Sequence, residues 1–171
     1  MKEGRIAIFP TETCYGIGCN AFDSDAVRRI YSIKKRDESK PMLVLVSSIS
    51  MWKKIAYVTK EAEKIALENW PCALTIIQKK KKIIPDILAK DRIGVRISSN
   101  KTANEIVSIC EFPVVATSAN LSGEPSNYSV SSMPEELKKK VDYILDAGTL
   151  PLNKPSKIID VKNGKIKEIR N

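Results

Sequence analysis

Histidine is absent from this 171-residue sequence, and cysteine is sparse. Without an imidazole, the chain has neither a Ser-His-Asp triad nor an imidazole base. The four cysteines, Cys14, Cys19, Cys72 and Cys110, form no Cys-x-x-Cys pair, so the spacing of a metal site is missing too. We expect reduced, mostly buried thiols. Cys14 lies inside a candidate site, but a nucleophilic cysteine needs an imidazole partner or a lowered pKa, so we expect it to fill space.

Long apolar runs are also absent. No segment approaches the ~20 residues that cross a bilayer, and the first residues lack the apolar core of a signal peptide. These features predict a cytoplasmic protein with no membrane partner. The apolar content of 43% predicts a folded chain. A length of 171 residues suits a single domain, 1–171, with a sizeable core.

Acidic residues are outnumbered, with 20 Asp and Glu against 29 Lys and Arg, which gives a net charge of +9. Such an excess favours an anionic partner, either a nucleotide, a nucleic acid or both. The alternative is a lysine-rich, solvated surface. For the lysine run at 79–82 we favour that alternative, because no aromatic residues are interleaved with the lysines.

The most informative segment is Phe-Pro-Thr-Glu-Thr-Cys-Tyr-Gly-Ile-Gly at 9–18, directly after an apolar strand predicted at 5–9. Pro10 cannot continue a central strand, and the two glycines permit unusual backbone angles. We therefore expect the chain to leave the sheet here and to present hydroxyls and backbone amides, as ligand sites at strand ends do. The Gly-x-Gly alone would indicate an ordinary turn.

Two other polar segments accompany predicted strands. Thr117, Ser118, Ala119 and Asn120 end a strand at 114–117, and Ser156 precedes one at 157–161. Small hydroxyl residues supply both donors and acceptors. The alternative for each is an ordinary Ser/Thr turn, and the sequence does not decide whether the three segments converge.

Phosphate-binding loops are missing, since there is neither a Gly-x-x-x-x-Gly-Lys-[Ser/Thr] nor a full Gly-x-Gly-x-x-Gly. A nucleotide would need isolated cations, and Arg36 and Lys40 are candidates. Arg96 alternates with apolar residues in a strand at 93–97, so it either forms a structural ion pair or faces a ligand anion. No carboxylate pair stands out as acid and base. Glu12 is interpreted as positional and Asp160 as hydrogen-bonded structure.

Helical and strand periodicities alternate along the chain. We predict helices from Asp23 or Ser24 to about 34, and over 61–69, 100–110 and 134–141. Further strands are predicted at 42–46, 74–78, 143–145 and 166–169. Asn163-Gly164 is typical of a hairpin, so the sheet should be mixed. Residues 118–132 are rich in serine and are predicted to form a mobile loop or lid.

The ordered motifs resemble those of the YrdC-like family, the threonylcarbamoyl-AMP synthases. The matching blocks lie at 10–18, 34–42, 70–75, 94–96, 116–123, 156–160 and 169–170. The family pattern departs at Cys72-Ala73, where Gly-Pro is usual, and at Cys14, where an apolar residue is usual. The longer members carry an extra C-terminal domain, so the resemblance implies a single-domain form.

The resemblance implies an open twisted, mixed α/β sheet with flanking helices and a basic concave face. The implied activity is a nucleotidyltransferase that makes threonylcarbamoyl-AMP and pyrophosphate from L-threonine, bicarbonate and ATP. The product would serve threonylcarbamoyl-adenosine modification of tRNA through a downstream transferase complex. Mg²⁺ would arrive on ATP, without a metal site made by protein alone.

The resemblance also implies residue roles. Lys34 and Arg36 are implied as catalytic, and Tyr15 as support for the pocket wall. Threonine contacts are implied at Thr13, Leu45, Arg96, Ser118 and Ser156. Nucleotide contacts are implied at Lys34, Arg36, Lys40, Arg92, Ala116, Ser126 and Arg170.

Two alternative functions are open. One is a double-stranded-RNA- or tRNA-binding protein without catalysis, which fits the charge but not the hydroxyl motifs, because phosphate contacts need mainly Lys and Arg. The other is a carbamoyltransferase-like module of the kind used in hydrogenase maturation. Its usual acylphosphatase-like region and zinc fingers have no counterpart in this sequence.

Overall fold

The structure is a computed structural model that describes residue 1 and residues 3–171. The described residues form five helices: α1 (Ser24–Lys34), α2 (Ile49–Ile55), α3 (Lys60–Asn69), α4 (Lys101–Cys110) and α5 (Glu135–Lys138). They also form eleven strands: β1 (Ala7–Pro10), β2 (Tyr15–Gly18), β3 (Val44–Leu45), β4 (Ala56–Tyr57), β5 (Leu74–Lys80), β6 (Arg92–Arg96), β7 (Val114–Val115), β8 (Thr117–Ser118), β9 (Tyr143–Ile144), β10 (Lys157–Lys162) and β11 (Lys165–Arg170).

The strands build two mixed sheets. The first has the order β8-β2-β1-β9, with β1 antiparallel to β2 and parallel to β9. The second has the order β11-β10-β5-β6-β3-β7, and β4 pairs with β5. Within it β5 is antiparallel to β6 and parallel to β10, and β10 and β11 form the expected hairpin. The α/β class and the mixed pairing are confirmed, but two sheets stand where one was expected.

The first sheet arises from the segment after β1. As expected, the chain leaves the strand after Pro10 and turns at 11–14. It then returns to the same sheet as β2, with Pro10 opposite Tyr15 and Phe9 opposite Gly16, which was not predicted. The glycine at Gly18 serves close packing, because a Cβ there would lie 2.0 Å from the Val115 carbonyl oxygen. A side chain at this position would therefore push β7 away from β2.

Helices α1, α3 and α4 begin at the capping residues that the sequence predicted. Asp23 accepts hydrogen bonds from the backbone amides of Asp25 and Ala26, and Thr59 and Asn100 cap α3 and α4 in the same way. α1 ends at Lys34, and the C-cap residue Lys35 adopts a left-handed conformation with φ of 50°. The sequence analysis did not predict α2, a seven-residue helix capped by Ser48 that buries Trp52 and Ile55.

Strand β1 separates two apolar clusters. Ile6 and Ile8 belong to the larger cluster, whereas Ala7 and Phe9 face a smaller one that includes residues of α4. This strand is buried on both faces, which explains its continuous apolar sequence. Among the described residues, no helix combines the length and the apolar character needed to span a membrane. The assignment of 1–171 to a single domain stays a prediction.

Candidate functional site

A cavity of about 360 Å³ lies where the two sheets approach each other. All three polar segments singled out from the sequence reach it, through Thr13, Ser118 and Ser156. Four guanidinium groups line it as well, those of Arg36, Arg92, Arg96 and Arg170. Ala116 and Ser126 complete the predicted residues in its wall. The cavity therefore combines concentrated positive charge with small hydroxyl side chains.

Thr11 organises the turn between β1 and β2. Its Oγ1 donates to the Cys14 carbonyl at 2.7 Å and accepts from the amides of Thr13 at 3.2 Å and Cys14 at 3.3 Å. These hydrogen bonds satisfy backbone amides and a carbonyl of the turn within the turn itself. Thr13 lines the cavity. Thr11 was not among the predicted site residues, although it also lines the cavity.

Arg96 and Glu12 form an ion pair beside the cavity. Arg96 Nε lies 3.2 Å from Glu12 Oε1, and the two side chains are 5% and 11% exposed. Both of these atoms are buried, and neither forms a hydrogen bond with a described residue. Burial lowers the pKa of the Arg96 guanidinium, while the Glu12 carboxylate opposes that shift. Arg96 is therefore ion-paired and also lines the cavity, and the alternative that it faces a ligand anion stays a prediction.

The other three guanidinium groups are held by backbone and side-chain oxygens. Arg36 donates from Nε and Nη2 to the carbonyls of Lys40 and Pro41, both at 3.1 Å. Arg170 donates to the Ser156 carbonyl at 2.9 Å and to its hydroxyl at 3.1 Å. Such hydrogen bonds fix the orientation of the planar guanidinium groups.

Arg92 is paired with Asp160, and it also donates to the carbonyls of Ile77 and Val161, both at 3.3 Å. Asp160 lies on β10, so this contact ties β6 to β10 across the intervening β5. Ser156 Oγ lies 3.0 Å from Thr75 Oγ1. The structural interpretation of Asp160 fits this geometry, because its carboxylate holds one of the cavity arginines.

Lys34 lies behind the cavity rather than in its wall. The ammonium donates to the Ser118 carbonyl at 2.5 Å, the Asn120 carbonyl at 2.8 Å and Asn120 Oδ1 at 2.9 Å. Ser118 Oγ donates to the same Oδ1 at 2.6 Å. Burial, with a smaller contribution from Arg36, lowers the pKa of Lys34 to about 8. All three ammonium protons are thus used to hold the polar segment after β7.

Two other predicted contacts do not line the cavity. Leu45 is fully buried in the smaller apolar cluster, opposite Arg96 in the pairing of β3 with β6. The side chain of Lys40 is exposed, and its carbonyl accepts from Arg36 and from Tyr31 Oη at 3.0 Å. The roles of Lys34, Lys40 and Leu45 stay predictions, but the geometry places all three outside the wall.

A strap at residues 146–156 crosses from the first sheet to the second. Tyr15 Oη donates to the Gly148 carbonyl at 2.8 Å and accepts from the Ala147 amide at 2.8 Å. Asn153 Nδ2 donates to the Glu12 carbonyl at 2.9 Å. Asn153 and Pro155 also line the cavity, and sequence reasoning missed them. The strap has neither helical nor strand periodicity in its sequence. The residue that sequence analysis had singled out beside it is Tyr15, whose hydroxyl binds the strap.

The cysteines are all free thiols. Cys14 and Cys19 are buried, whereas Cys72 and Cys110 are only partly buried. Burial raises the pKa of the Cys14 thiol, which lines the cavity. A raised pKa disfavours the thiolate, in keeping with a space-filling role. Among the described residues, no group of three or more Cys, Asp or Glu side chains is placed to hold a metal ion.

The chain is similar in sequence and in structure to proteins of one known family. The family model Sua5/YciO/YrdC, described as "Telomere recombination", matches residues 1–171. A putative threonylcarbamoyl-AMP synthase of Methanocaldococcus jannaschii is 44% identical over 170 residues, which cover 99% of this chain and 81% of that protein. The structure of Pyrococcus abyssi Sua5 complexed with L-threonine superimposes with a TM-score of 0.93 at 33% identity.

That superposition covers 98% of this chain and 50% of the Sua5 chain, so this chain spans about half the length of that relative. Escherichia coli YciO superimposes with a TM-score of 0.84 at 27% identity, over 99% of this chain and 84% of YciO. The similarity therefore extends over the whole cavity region and not over single motifs.

Proposed function

The chain belongs to the Sua5/YciO/YrdC family, and we propose that it is an L-threonylcarbamoyladenylate synthase, a nucleotidyltransferase. Its substrates would be L-threonine, bicarbonate and ATP, and its products threonylcarbamoyl-AMP and pyrophosphate. One observation carries the proposal: four guanidinium groups and three strand-end hydroxyls converge on one cavity. Both organic substrates bear negative charge, so a site of this composition suits them.

The threonine half of the site would be built around Arg96. Its guanidinium would bind the α-carboxylate, and Thr13, Ser118 and Ser156 would surround the rest of the amino acid. The relative crystallised with L-threonine supports this part of the proposal. Leu45 would act from the core by supporting the strand beside Arg96.

The chemistry needs no protein nucleophile. The threonine amine attacks carbon dioxide derived from bicarbonate, so that a C–N bond forms and the nitrogen loses a proton. An oxygen of the resulting carbamate attacks the α-phosphorus of ATP. The bond to the bridging oxygen breaks, and pyrophosphate leaves with its electron pair. Arg36, Arg92 and Arg170 would stabilise the charge that develops on the phosphate oxygens.

Lys34 would be a positioning residue. Its ammonium holds Ser118 and Asn120 in place, so its loss would disturb the threonine pocket without removing a substrate contact. Magnesium would enter as the MgATP substrate. The cavity wall, within the described residues, carries arginines and no carboxylate, so it offers the metal no charged ligand of its own.

The product would feed the threonylcarbamoyl-adenosine modification of tRNA, through a separate transferase complex, in the cytoplasm. The main alternative, an RNA-binding protein without catalysis, makes no use of the hydroxyl side chains in the cavity. The deciding experiment is pyrophosphate release with MgATP, L-threonine and bicarbonate. The proposal expects release only with all three present. Equal turnover with threonine or bicarbonate omitted, or none with all present, would contradict it.

A further inference from the structure

The sheet face that forms part of the cavity wall is bordered by an acidic residue, Asp160. Successive side chains of a strand point to opposite faces, so positions 156, 158 and 160, at the start of β10 and just before it, share one face. Ser156 and Ile158 line the cavity, whereas Asp160, the next residue on that face, is not part of the wall. The proposed chemistry therefore gives this carboxylate no contact with a substrate.

Arg92 reaches Asp160 across an intervening strand. Arg92 is opposite Lys79 in the pairing of β6 with β5, and Asp160 is opposite Ile77 in the pairing of β10 with β5. The arginine side chain therefore passes over β5 to meet the carboxylate. The side chains of Arg92 and Asp160 are 22% and 23% exposed. Solvent screens the charges of this pair only in part, so the contact is stronger than a surface ion pair.

The hydrogen bonds that hold the Arg92 guanidinium all use one nitrogen. Nη2 donates to the Asp160 carboxylate and to the carbonyls of Ile77 and Val161, both at 3.3 Å. The carboxylate is the charged acceptor of the three, so it contributes most to the orientation. Nη1 forms no hydrogen bond with a described residue, and Arg92 lines the cavity. Nη1 is thus available to a ligand anion.

We propose that Asp160 is a positioning residue for nucleotide binding, which fixes the Arg92 guanidinium so that Nη1 meets a phosphate of ATP. The inference rests on the proposed function, under which Arg92 would stabilise phosphate charge. Arginine has a long, flexible side chain, and a guanidinium that was free before binding would lose conformational freedom when it met the phosphate. An orientation fixed in advance removes that cost and strengthens the contact.

The charge of Asp160 has an opposing effect, because a carboxylate beside Arg92 weakens the attraction of the guanidinium for a phosphate. Two substitutions separate position from charge. Asp160→Ala removes both the negative charge and the hydrogen-bond acceptor. Asp160→Asn removes the same charge but keeps an amide oxygen that can accept from Nη2.

Equilibrium binding of MgATP, measured by isothermal titration calorimetry, is the test. We expect Asp160→Ala to bind MgATP about tenfold more weakly than the wild type, the typical effect of losing one charge-assisted hydrogen bond. Asp160→Asn should bind MgATP at least as tightly as the wild type, because the orientation is kept and a negative charge is gone. Unchanged binding in Asp160→Ala, or two variants that behave alike in either direction, would overturn the proposal.

Arg92→Ala supplies a test of coupling. If Asp160 acts through Arg92, adding Asp160→Ala to Arg92→Ala should weaken MgATP binding no further, whereas independent effects would add. A second loss of about the same size in the double variant would show that Asp160 acts without Arg92, which contradicts a positioning role.

The matched control is Asp86, which holds another buried cation away from the cavity. Lys80 Nζ donates to Asp86 Oδ1 at 2.6 Å and to the Ile84 carbonyl at 2.7 Å. Lys80 is buried, so the prediction of a solvated lysine run at 79–82 is wrong for this residue. Asp86→Ala and Asp86→Asn should lower the Tm and leave MgATP affinity unchanged, because the pair lies outside the cavity wall. Equal losses of affinity in Asp86→Ala and Asp160→Ala would assign both to destabilisation and overturn the proposal.

Pyrophosphate release separates this inference from the proposed synthase activity, because binding of MgATP does not depend on turnover. A wild type that binds MgATP, with the expected difference between the two Asp160 variants, but releases no pyrophosphate would keep the positioning role and remove the synthase. A synthase whose affinity for MgATP is the same with Asp160→Ala would do the reverse. A wild type that binds no MgATP would overturn both.

Discussion

Arg96 and Glu12 form a nearly solvent-free ion pair that borders the candidate threonine site, with Nε 3.2 Å from Oε1. The carboxylate is also held by a short hydrogen bond from Ser98. The carboxylate of Glu12 balances the charge of Arg96. A substrate carboxylate would therefore meet a guanidinium that already has an acidic partner, and Glu12 would set how strongly Arg96 attracts it.

Replacement of Glu12 should reveal this balance. Glu12→Gln keeps the shape of the side chain but leaves Arg96 without a counter-charge, so we expect a loss of about 3–5 kcal/mol in the free energy of unfolding. L-Threonine should restore part of it by supplying a carboxylate. The measurements are urea denaturation and thermal unfolding with and without L-threonine.

The matched control is Glu135→Gln, which removes a solvent-exposed partner of Lys138 and should cost less than about 1 kcal/mol. If L-threonine raises the Tm of Glu12→Gln no more than that of the wild type, Glu12 does not balance the charge that binds substrate.

The pH dependence of the free energy of unfolding should include a contribution from the titration of Lys34. Its pKa is lowered from 10.5 to about 8 on folding, so between those values the unfolded chain binds more protons than the folded one. Stability from this group must then rise with pH across the window from 8 to 10.5, by at most about 1.4 kcal/mol per pH unit.

Lys34→Met provides the reference, because it lacks the titrating group. Since the charge of Lys34 also lowers the pKa of the Cys14 thiol, both proteins carry Cys14→Ser, so that this coupling is absent from the comparison. The difference in unfolding free energy, wild type minus variant, should be flat below pH 8 and increase above it. A difference that is constant from pH 7 to pH 10 would mean that the buried ammonium titrates normally.

The sequence anticipated the cavity because its signals are local. Arg92, Arg96, Ser118, Ser156 and Arg170 lie at or next to strand ends, and strand ends of a sheet lie together. Arg36, after α1, and Ser126, in a loop, are exceptions. Contacts between residues far apart in the sequence are not indicated by any local motif. Ser98 and Glu12 are 86 positions apart, and nothing in either motif indicates that they touch. The strap at 146–156 and the two-sheet arrangement depend on tertiary packing in the same way, as does the burial of Lys34.

Arg36 and Lys40 should differ in their effect on nucleotide turnover. Arg36→Ala removes a guanidinium from the cavity wall, and the loss of a charge-assisted phosphate contact should lower kcat/KM for ATP about ten- to a hundredfold. Lys40 lies outside the wall and is held through its backbone, so Lys40→Ala should have a smaller effect. Lys101→Ala serves as the surface control. Equal, large losses in Arg36→Ala and Lys40→Ala would show that the lysine reaches the phosphates.

The loop at 122–133 should gain protection when substrates bind. Ser126 and Tyr128 from this loop line the cavity, and the Leu150 amide donates to the Tyr128 carbonyl at 2.7 Å, which joins loop and strap. We expect slower hydrogen exchange in both segments with ATP plus threonine, since a bound ligand removes their opening motions. Unchanged exchange alongside proven binding would exclude a lid.

Amino-acid selectivity should depend on the hydroxyl groups of the cavity. Serine lacks only a methyl group, which is worth about 1–3 kcal/mol in an apolar pocket, so it should be a weak substrate. Valine has nearly the shape of threonine but leaves a polar partner unsatisfied, and should be rejected more strongly. Glycine lacks both groups and should be used least. The measurement is kcat/KM for the four amino acids.

The geometry at Ser118 decides which variant tests this selectivity. Its hydroxyl donates to Asn120 Oδ1 at 2.6 Å, so a substrate hydroxyl would donate to the free lone pair of Ser118 Oγ. Ser118→Ala should therefore reduce the preference for threonine over valine. Arg96→Ala should lower activity with all four amino acids by the same factor, because the lost guanidinium would bind the α-carboxylate that all four share. If the wild type uses valine as well as threonine, Ser118 does not recognise the hydroxyl, whatever the synthase activity.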